Sequence, residues 1–424
     1  MAKTITGKQV GDSYYQVEHP SGLTVLLYPK EHCSTTYAIF GTRYGSIDNC
    51  FQRSDEAGPE SVPEGIAHYL EHKLFESEEG DAFERFSKTG ASANAFTSFE
   101  STCYLFSTTD QVYQSLEILL DFVQSPYFTE ETVRKEQGII GQEIKMYDDD
   151  PQWRVMFNYL KAMYRSHPIR EDIAGTVESI AKITPELLYR CYNTFYNLGN
   201  MVLAIAGNFQ VDKALAVCDK MLKPAAPVTV KRVFPQEPDT IVQPVVEERL
   251  SVASPLFQFG FKEPGADQPR SEKDVAATEV LLETLASDAS PLFRRLLDQG
   301  LVNESSFSYE YFEGNGYATV MFSGESKDPQ AVAQAILEEV ERFQREGIPA
   351  EAFERSKRAL YGELVAALNS TGSIANGLVN MHLKGRELFT YIDSLASLRL
   401  EDGEERLRKV FQRERSVLSV ILPH

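Results

Sequence analysis

A chain of 424 residues, 42% apolar and 25% charged, with a net charge of −20, is too long for one ordinary core and predicts two or more domains. The charge excludes a nucleic-acid partner, since phosphate binding needs clustered Lys and Arg, and no apolar run is long enough to span a bilayer. Five scattered cysteines, none in a C-x-x-C pair, and an N-terminus without the apolar core of a signal peptide predict reduced thiols, a cytoplasmic location and no membrane partner.

Residues 23–28 and 35–44 are rich in β-branched and aromatic side chains and predict strands. A polar loop then leads into 63–75, which reads as one helix. Pro63 suits its first helical position, Glu64 suits the positive end of its dipole, and Ile66, Leu70 and Leu74 form an inward stripe. His68 and His72 are also four apart, on another face, with Glu71 on the adjoining arc. A short helix near 81–89 precedes two strands, 91–99 and 101–107, that read as a hairpin. Helices follow at 111–124, 130–147, 153–164 and 185–196, the second capped by Thr129. Residues 201–207 read as a buried strand. The stretch 224–244 carries Pro224, Pro227, Pro235, Pro238 and Pro244 and predicts an extended linker.

After the linker the order of elements repeats. A strand at 256–261 is followed by helices at 272–285 and 291–298. Strands at 305–313 and 317–323, helices at 330–345 and 350–368, and a last strand at 417–422 complete the copy. The second copy has nothing like His-x-x-Glu-His. The expectation is an α+β fold of two homologous domains, 1–223 and 245–424, each a mostly antiparallel sheet packed with helices.

Two imidazoles one helical turn apart can grip one metal ion, and H-x-x-E-H is a signature of inverted zinc peptidases. A catalytic zinc takes three protein ligands and keeps one place open. The third ligand should be a carboxylate or His facing the pair. Helix 130–147 offers Glu136 and Glu143, seven apart and so on one face. Gly138 and Gly141 between them each cost that helix about 1 kcal/mol against Ala, which close packing on the His helix would explain. Glu71, not a ligand, would take a proton from water and pass it to a leaving amine. His19, His32, His167 and His382 are isolated and read as ordinary, and Asp148–Asp150 as a solvated helix end.

Taken together, His68, Glu71 and His72, the run Ala-Ser-Ala-Asn-Ala-Phe-Thr at 91–97, and Glu136 and Glu143 resemble the insulinase, pitrilysin and mitochondrial processing peptidase family. The likeness covers nearly the whole chain. The string around the histidines is similar to that of half-size bacterial members of the YmfH type. The resemblance implies a zinc endopeptidase with one Zn2+ per chain, held by His68, His72 and Glu143, while Glu136 orients a ligating imidazole. It also implies that Ser92, Ala93, Asn94, Ala95, Phe96 and Thr97 form an edge strand that pairs with the backbone of a peptide substrate.

One departure is informative. Active members carry an Arg and a Tyr around a Gly-Leu pair in the second domain. Aligned on Gly300 and Leu301, those positions hold Leu296 and Asn303 here, with Arg294 and Arg295 out of register. Leu cannot donate to a developing oxyanion, and losing such a donor costs on the order of 100- to 1,000-fold in rate. The expectation is a paralogous partner subunit that supplies the Arg and Tyr. The competing expectation is a non-catalytic peptide-binding or assembly subunit of the same fold.

Overall fold

In the computed structural model, which describes residues 2–78, 80–265 and 270–424, seven strands build one sheet. They are β1 (Lys3–Thr6), β2 (Ser13–Glu18), β3 (Thr24–Pro29), β4 (Thr36–Thr42), β5 (Ser92–Thr97), β6 (Thr102–Thr108) and β7 (Met201–Gly207). Their order is β1-β2-β3-β7-β4-β6-β5. Every pairing is antiparallel except β3 with β7. β7 is buried at every position, because strands flank both its edges and helix Thr371–Leu383 packs on it and on β4. That is why its sequence is a continuous apolar run and not an alternation. Helix Val112–Val123 packs on β6 and β4. β5 lies at the end of the sheet and alternates exposed and half-buried residues.

A second sheet contains β8 (Val245–Leu250), β9 (Leu256–Lys262), β10 (Ser308–Gly314), β11 (Tyr317–Glu325) and β12 (Ser416–Pro423). Its order is β8-β12-β9-β11-β10, with β8 and β12 parallel and the rest antiparallel. This repeats β3-β7-β4-β6-β5 strand for strand, so the repeat in element order is a repeat in topology. Helix Pro151–Met163 packs on β12 and β9. Its Tyr159 hydroxyl lies 2.6 Å from Thr319 Oγ1, and the Tyr164 hydroxyl just beyond it donates to Ala318 O at 3.0 Å. The fold is α+β with two repeated domains, both sheets mostly antiparallel.

The compact units do not follow the linear halves of the chain. One comprises Met1–Ile144, Asp172–Val233 and Val365–Thr390, the other Lys145–Glu171, Phe234–Leu364 and Tyr391–His424. The proline-rich stretch is ordered locally: Val230–Arg232 pairs antiparallel with Cys50–Arg53, and the Glu237 carboxylate accepts the backbone N–H groups of Arg165, Ser166 and His167. Asp150 is a helix cap, accepting from the N–H groups of Gln152 and Trp153. Among the described residues no helix is long and apolar enough to cross a membrane.

Candidate metal centre

The histidine helix α1 runs Ile66–Leu74, shorter than its sequence pattern predicts. Pro63 and Glu64 lie before it, and Gly65 is its N-cap at φ 85°. A Cβ on Gly65 would meet Ala174 O at 2.3 Å, so the turn needs glycine on both counts. The Ser179 hydroxyl donates to Glu64 O at 2.9 Å and holds that turn. Ile66, Leu70 and Leu74 are buried as their spacing predicts. His68 and Glu71 are also buried, each 8% exposed.

Helix α2 (Glu130–Asp148) supplies the facing acids. Thr129 Oγ1 accepts the N–H of Thr132 at its start. Val133, Ile140 and Ile144 are buried, and the Tyr69 hydroxyl of α1 donates to Val133 O. This seating turns Glu136 and Glu143 toward the imidazoles. The expected reason for Gly138 and Gly141 does not hold, because a Cβ on either would meet nothing within 4 Å among the described residues. They face open space, and close helix packing does not explain them.

The geometry separates the two glutamates that spacing left open. Glu143 approaches both ring nitrogens, with its Oε1 3.7 Å from His68 Nε2 and its Oε2 3.5 Å from His72 Nε2. Glu136 Oε1 lies 3.0 Å from the other nitrogen of His72, Nδ1. One donor atom from each of His68, His72 and Glu143 falls within 4.8 Å of the others. A tetrahedral zinc with bonds of 2.0–2.1 Å spaces its ligand atoms about 3.3 Å apart. The two Glu143 separations, 3.7 and 3.5 Å, are near that value and longer than ordinary hydrogen bonds. His68 Nδ1 is buried with no hydrogen-bond partner among the described residues. Two imidazoles and a carboxylate in this arrangement fit a zinc ion.

Electrostatics act in opposite directions on the two imidazoles. Burial, helped by the neighbouring His72, pushes the His68 pKa down to about 4, so its ring is neutral near pH 7. For His72 burial pulls downward, but the Glu136 hydrogen bond and the Glu71 and Glu143 charges outweigh it and raise the pKa. Glu136 moves the other way: burial raises it, and the His72 bond and charge lower it overall. Glu71 is not in the ligand set. Burial raises its pKa against the opposing pull of a hydrogen bond from Thr97 and the charge of His72, a direction that suits a carboxylate with a proton to accept.

Among the described residues β5 pairs only with β6 in its sheet. Ser98 N–H donates to Ser101 O at the hairpin end, so this is a hydrogen-bonded pair. The antiparallel alternation then makes Thr97–Thr102, Ala95–Tyr104 and Ala93–Phe106 the non-bonded pairs. The main-chain groups of Thr97, Ala95 and Ala93 therefore point away from β6. In keeping with this, Ala95 N–H is taken up by Asn94 Oδ1 at 2.9 Å. Ser92, Asn94 and Phe96 present their side chains to solvent on one face, while Ala93, Ala95 and Thr97 lie half-buried on the other.

Sequence reasoning placed Thr97 in the strand and missed its side-chain contact: Thr97 Oγ1 donates to Glu71 Oε2 at 2.6 Å. The period of two groups Thr97 with Ala95 and Ala93, yet only packing says which face looks at α1. Leu296 is fully buried in helix Pro291–Asp298. Arg295 pairs with Glu339 at 3.5 Å. Asn303 is exposed, its Oδ1 accepting from Ser305 Oγ and Ser306 N–H.

Comparison with known proteins gives a consistent set of likenesses. The model described as Insulinase (Peptidase family M16) matches residues 60–177, and that described as Peptidase M16 inactive domain matches 182–360. The chain is 39% identical to the "Uncharacterized zinc protease YmfH" of Bacillus subtilis (strain 168), covering 100% of both. It is 27% identical to the "Uncharacterized zinc protease YmxG" of the same organism, over 85% of this chain and 88% of that one. The structure described as "Crystal structure of putative M16-like peptidase from Alicyclobacillus acidocaldarius" superposes with a TM-score of 0.91 at 35% identity, covering 100% of this chain and 98% of that one.

Proposed function

The chain belongs to the insulinase family, peptidase family M16, and on that premise we propose that it is the metal-bearing subunit of a zinc-dependent endopeptidase. The observation that carries this reading is the convergence of His68, His72 and Glu143 within 4.8 Å, beside a buried carboxylate outside the set. These three would hold one Zn2+ per chain. When bound, zinc supplies a Lewis acid for the scissile carbonyl and lowers the pKa of water toward roughly 7. Glu71 takes the proton of the attacking water on its carboxylate and returns it to the nitrogen of the departing amine. Glu136, bonded to His72 Nδ1, fixes that ring's tautomer and direction. Residues 92–97 receive an extended peptide as an added strand through the outward main-chain groups of Ala93, Ala95 and Thr97. Five free cysteines, three of them buried, support a reducing, cytoplasmic setting.

The test is zinc content and peptide cleavage for wild type and Glu71→Gln. The variant should keep its zinc and lose about 100- to 10,000-fold in rate. Chelation should abolish wild-type cleavage, and added zinc should restore it. Cleavage by Glu71→Gln at the wild-type rate rejects the mechanism. A second reading, a peptide-binding subunit without hydrolysis, is favoured by the buried Leu296 and by Asn303 where active members carry Arg and Tyr. It gains if no peptide is cleaved alone or with a paralogue.

A further inference from the structure

We infer that Thr97 is a positioning residue that ties the docking of a peptide on β5 to the alignment of Glu71; this rests on the peptidase reading above. Proton accounting sets the direction of its bond. The Thr102 hydroxyl gives its one proton to Tyr44 O at 2.9 Å. Thr97 then has two acceptors within reach, Glu71 Oε2 at 2.6 Å and Thr102 Oγ1 at 3.3 Å. The nearer, charged oxygen takes the proton. Thr102 is fully buried, so it backs Thr97 against the carboxylate like a stop.

The same residue has its main chain turned the other way. Thr97 and Thr102 form a non-bonded pair, so the Thr97 N–H and C=O point to the free edge where an added strand would pair. A threonine is stiff at χ1, so the path of β5 itself sets where the hydroxyl sits. A peptide registered on the Thr97 main chain is thereby registered against the carboxylate through one rigid residue. Misplacing a reacting group by about 1 Å can cost on the order of 100-fold. Ser would keep the donor, whereas Val keeps the shape and the backbone and loses the donor.

The experiment compares wild type, Thr97→Val, Thr97→Ser and Thr97→Ala, zinc-loaded and with the paralogue present, on an internally quenched fluorogenic peptide. Two further readouts do not need turnover: affinity of the metal-free proteins for that peptide by anisotropy, and zinc affinity by chelator competition. Thr97→Val and Thr97→Ala should lower kcat by about 10- to 100-fold, with KM, peptide affinity and zinc affinity within about twofold of wild type. Thr97→Ser should restore kcat to within about threefold. A kcat for Thr97→Val or Thr97→Ala near that of wild type overturns the inference and leaves the peptidase reading standing. So does a joint fall in kcat, peptide affinity and zinc affinity that Thr97→Ser fails to restore, which marks a structural role. A zinc-loaded wild type that cleaves nothing in any pairing overturns the peptidase reading itself, and this inference falls with it.

Discussion

Glu136 touches an imidazole and not the space between the three donor atoms, so its effect should register on affinity before chemistry. Its Oε1 lies 3.0 Å from His72 Nδ1, which directs Nε2 toward Glu143. Removing the acceptor in Glu136→Ala should weaken zinc binding by about 10- to 100-fold, measured by competition with a chromophoric chelator. Unchanged zinc affinity would show that His72 is oriented without it. A second residue-scale consequence lies elsewhere, at His167. This ring is 1% exposed. Its Nδ1 accepts from Ile169 N–H at 3.1 Å, leaving Nε2 to donate to Asn315 O at 2.9 Å. Burial pushes its pKa down to about 4. Below the ordinary His pKa of roughly 6.5 the unfolded chain takes a proton that the folded chain refuses. Stability from this group is thus whole above about pH 6.5 and falls as pH drops toward 4, by on the order of 3 kcal/mol in all. Urea titrations from pH 7 to pH 4.5 should show that loss, with a shallower slope in His167→Gln. Equal slopes in the two proteins would count against it.

At the scale of elements, α2 carries both acids of the centre on one face and two glycines on another. Both glycines look into open space, so Gly138→Ala and Gly141→Ala should each stabilise by about 1 kcal/mol through helix propensity without changing zinc content. Urea midpoints check this, and a lower midpoint in either variant would reveal a neighbour or a required motion. α1 shows the opposite case. Gly65 cannot be replaced freely, because its positive φ and the nearby Ala174 carbonyl both exclude a side chain. β5 is legible as a strand from its composition, but its place at the sheet end follows from pairing partners far along the chain. β4 pairs with β6 and β7, which among the described residues leaves β5 with β6 alone.

For the whole molecule, the repeated strand order says that one supersecondary plan was used twice, with the His-x-x-Glu-His run in the first copy and not in the second. The position where the family resemblance implies an Arg is held by Leu296, a core residue whose replacement by Arg would bury an unpaired charge. The missing donor is therefore expected from another subunit. Mixing this chain with a paralogue that carries the Arg and Tyr should raise peptide cleavage by about 100- to 1,000-fold, read as the rate against added partner at fixed zinc. Full activity of the lone chain, with no gain on mixing, would remove the need for a partner.

What the amino-acid order determines alone is short-range. His68, Glu71 and His72 share a helical neighbourhood because 3.6 residues make a turn, and strand and helix periods mark most elements before any contact is known. Glu143 lies 71 residues beyond His72. From spacing, either it or Glu136 could have been the closing ligand. Seating of Val133, Ile140 and Ile144, with Tyr69 bonded to Val133 O, brought one carboxylate to the Nε2 atoms and the other to Nδ1. The Thr97 hydroxyl, the late start of α1 and the membership of helices Pro151–Met163 and Thr371–Leu383 in units away from their linear neighbours were likewise decided by packing. Each depends on which distant surfaces exclude water together, and no local period encodes that.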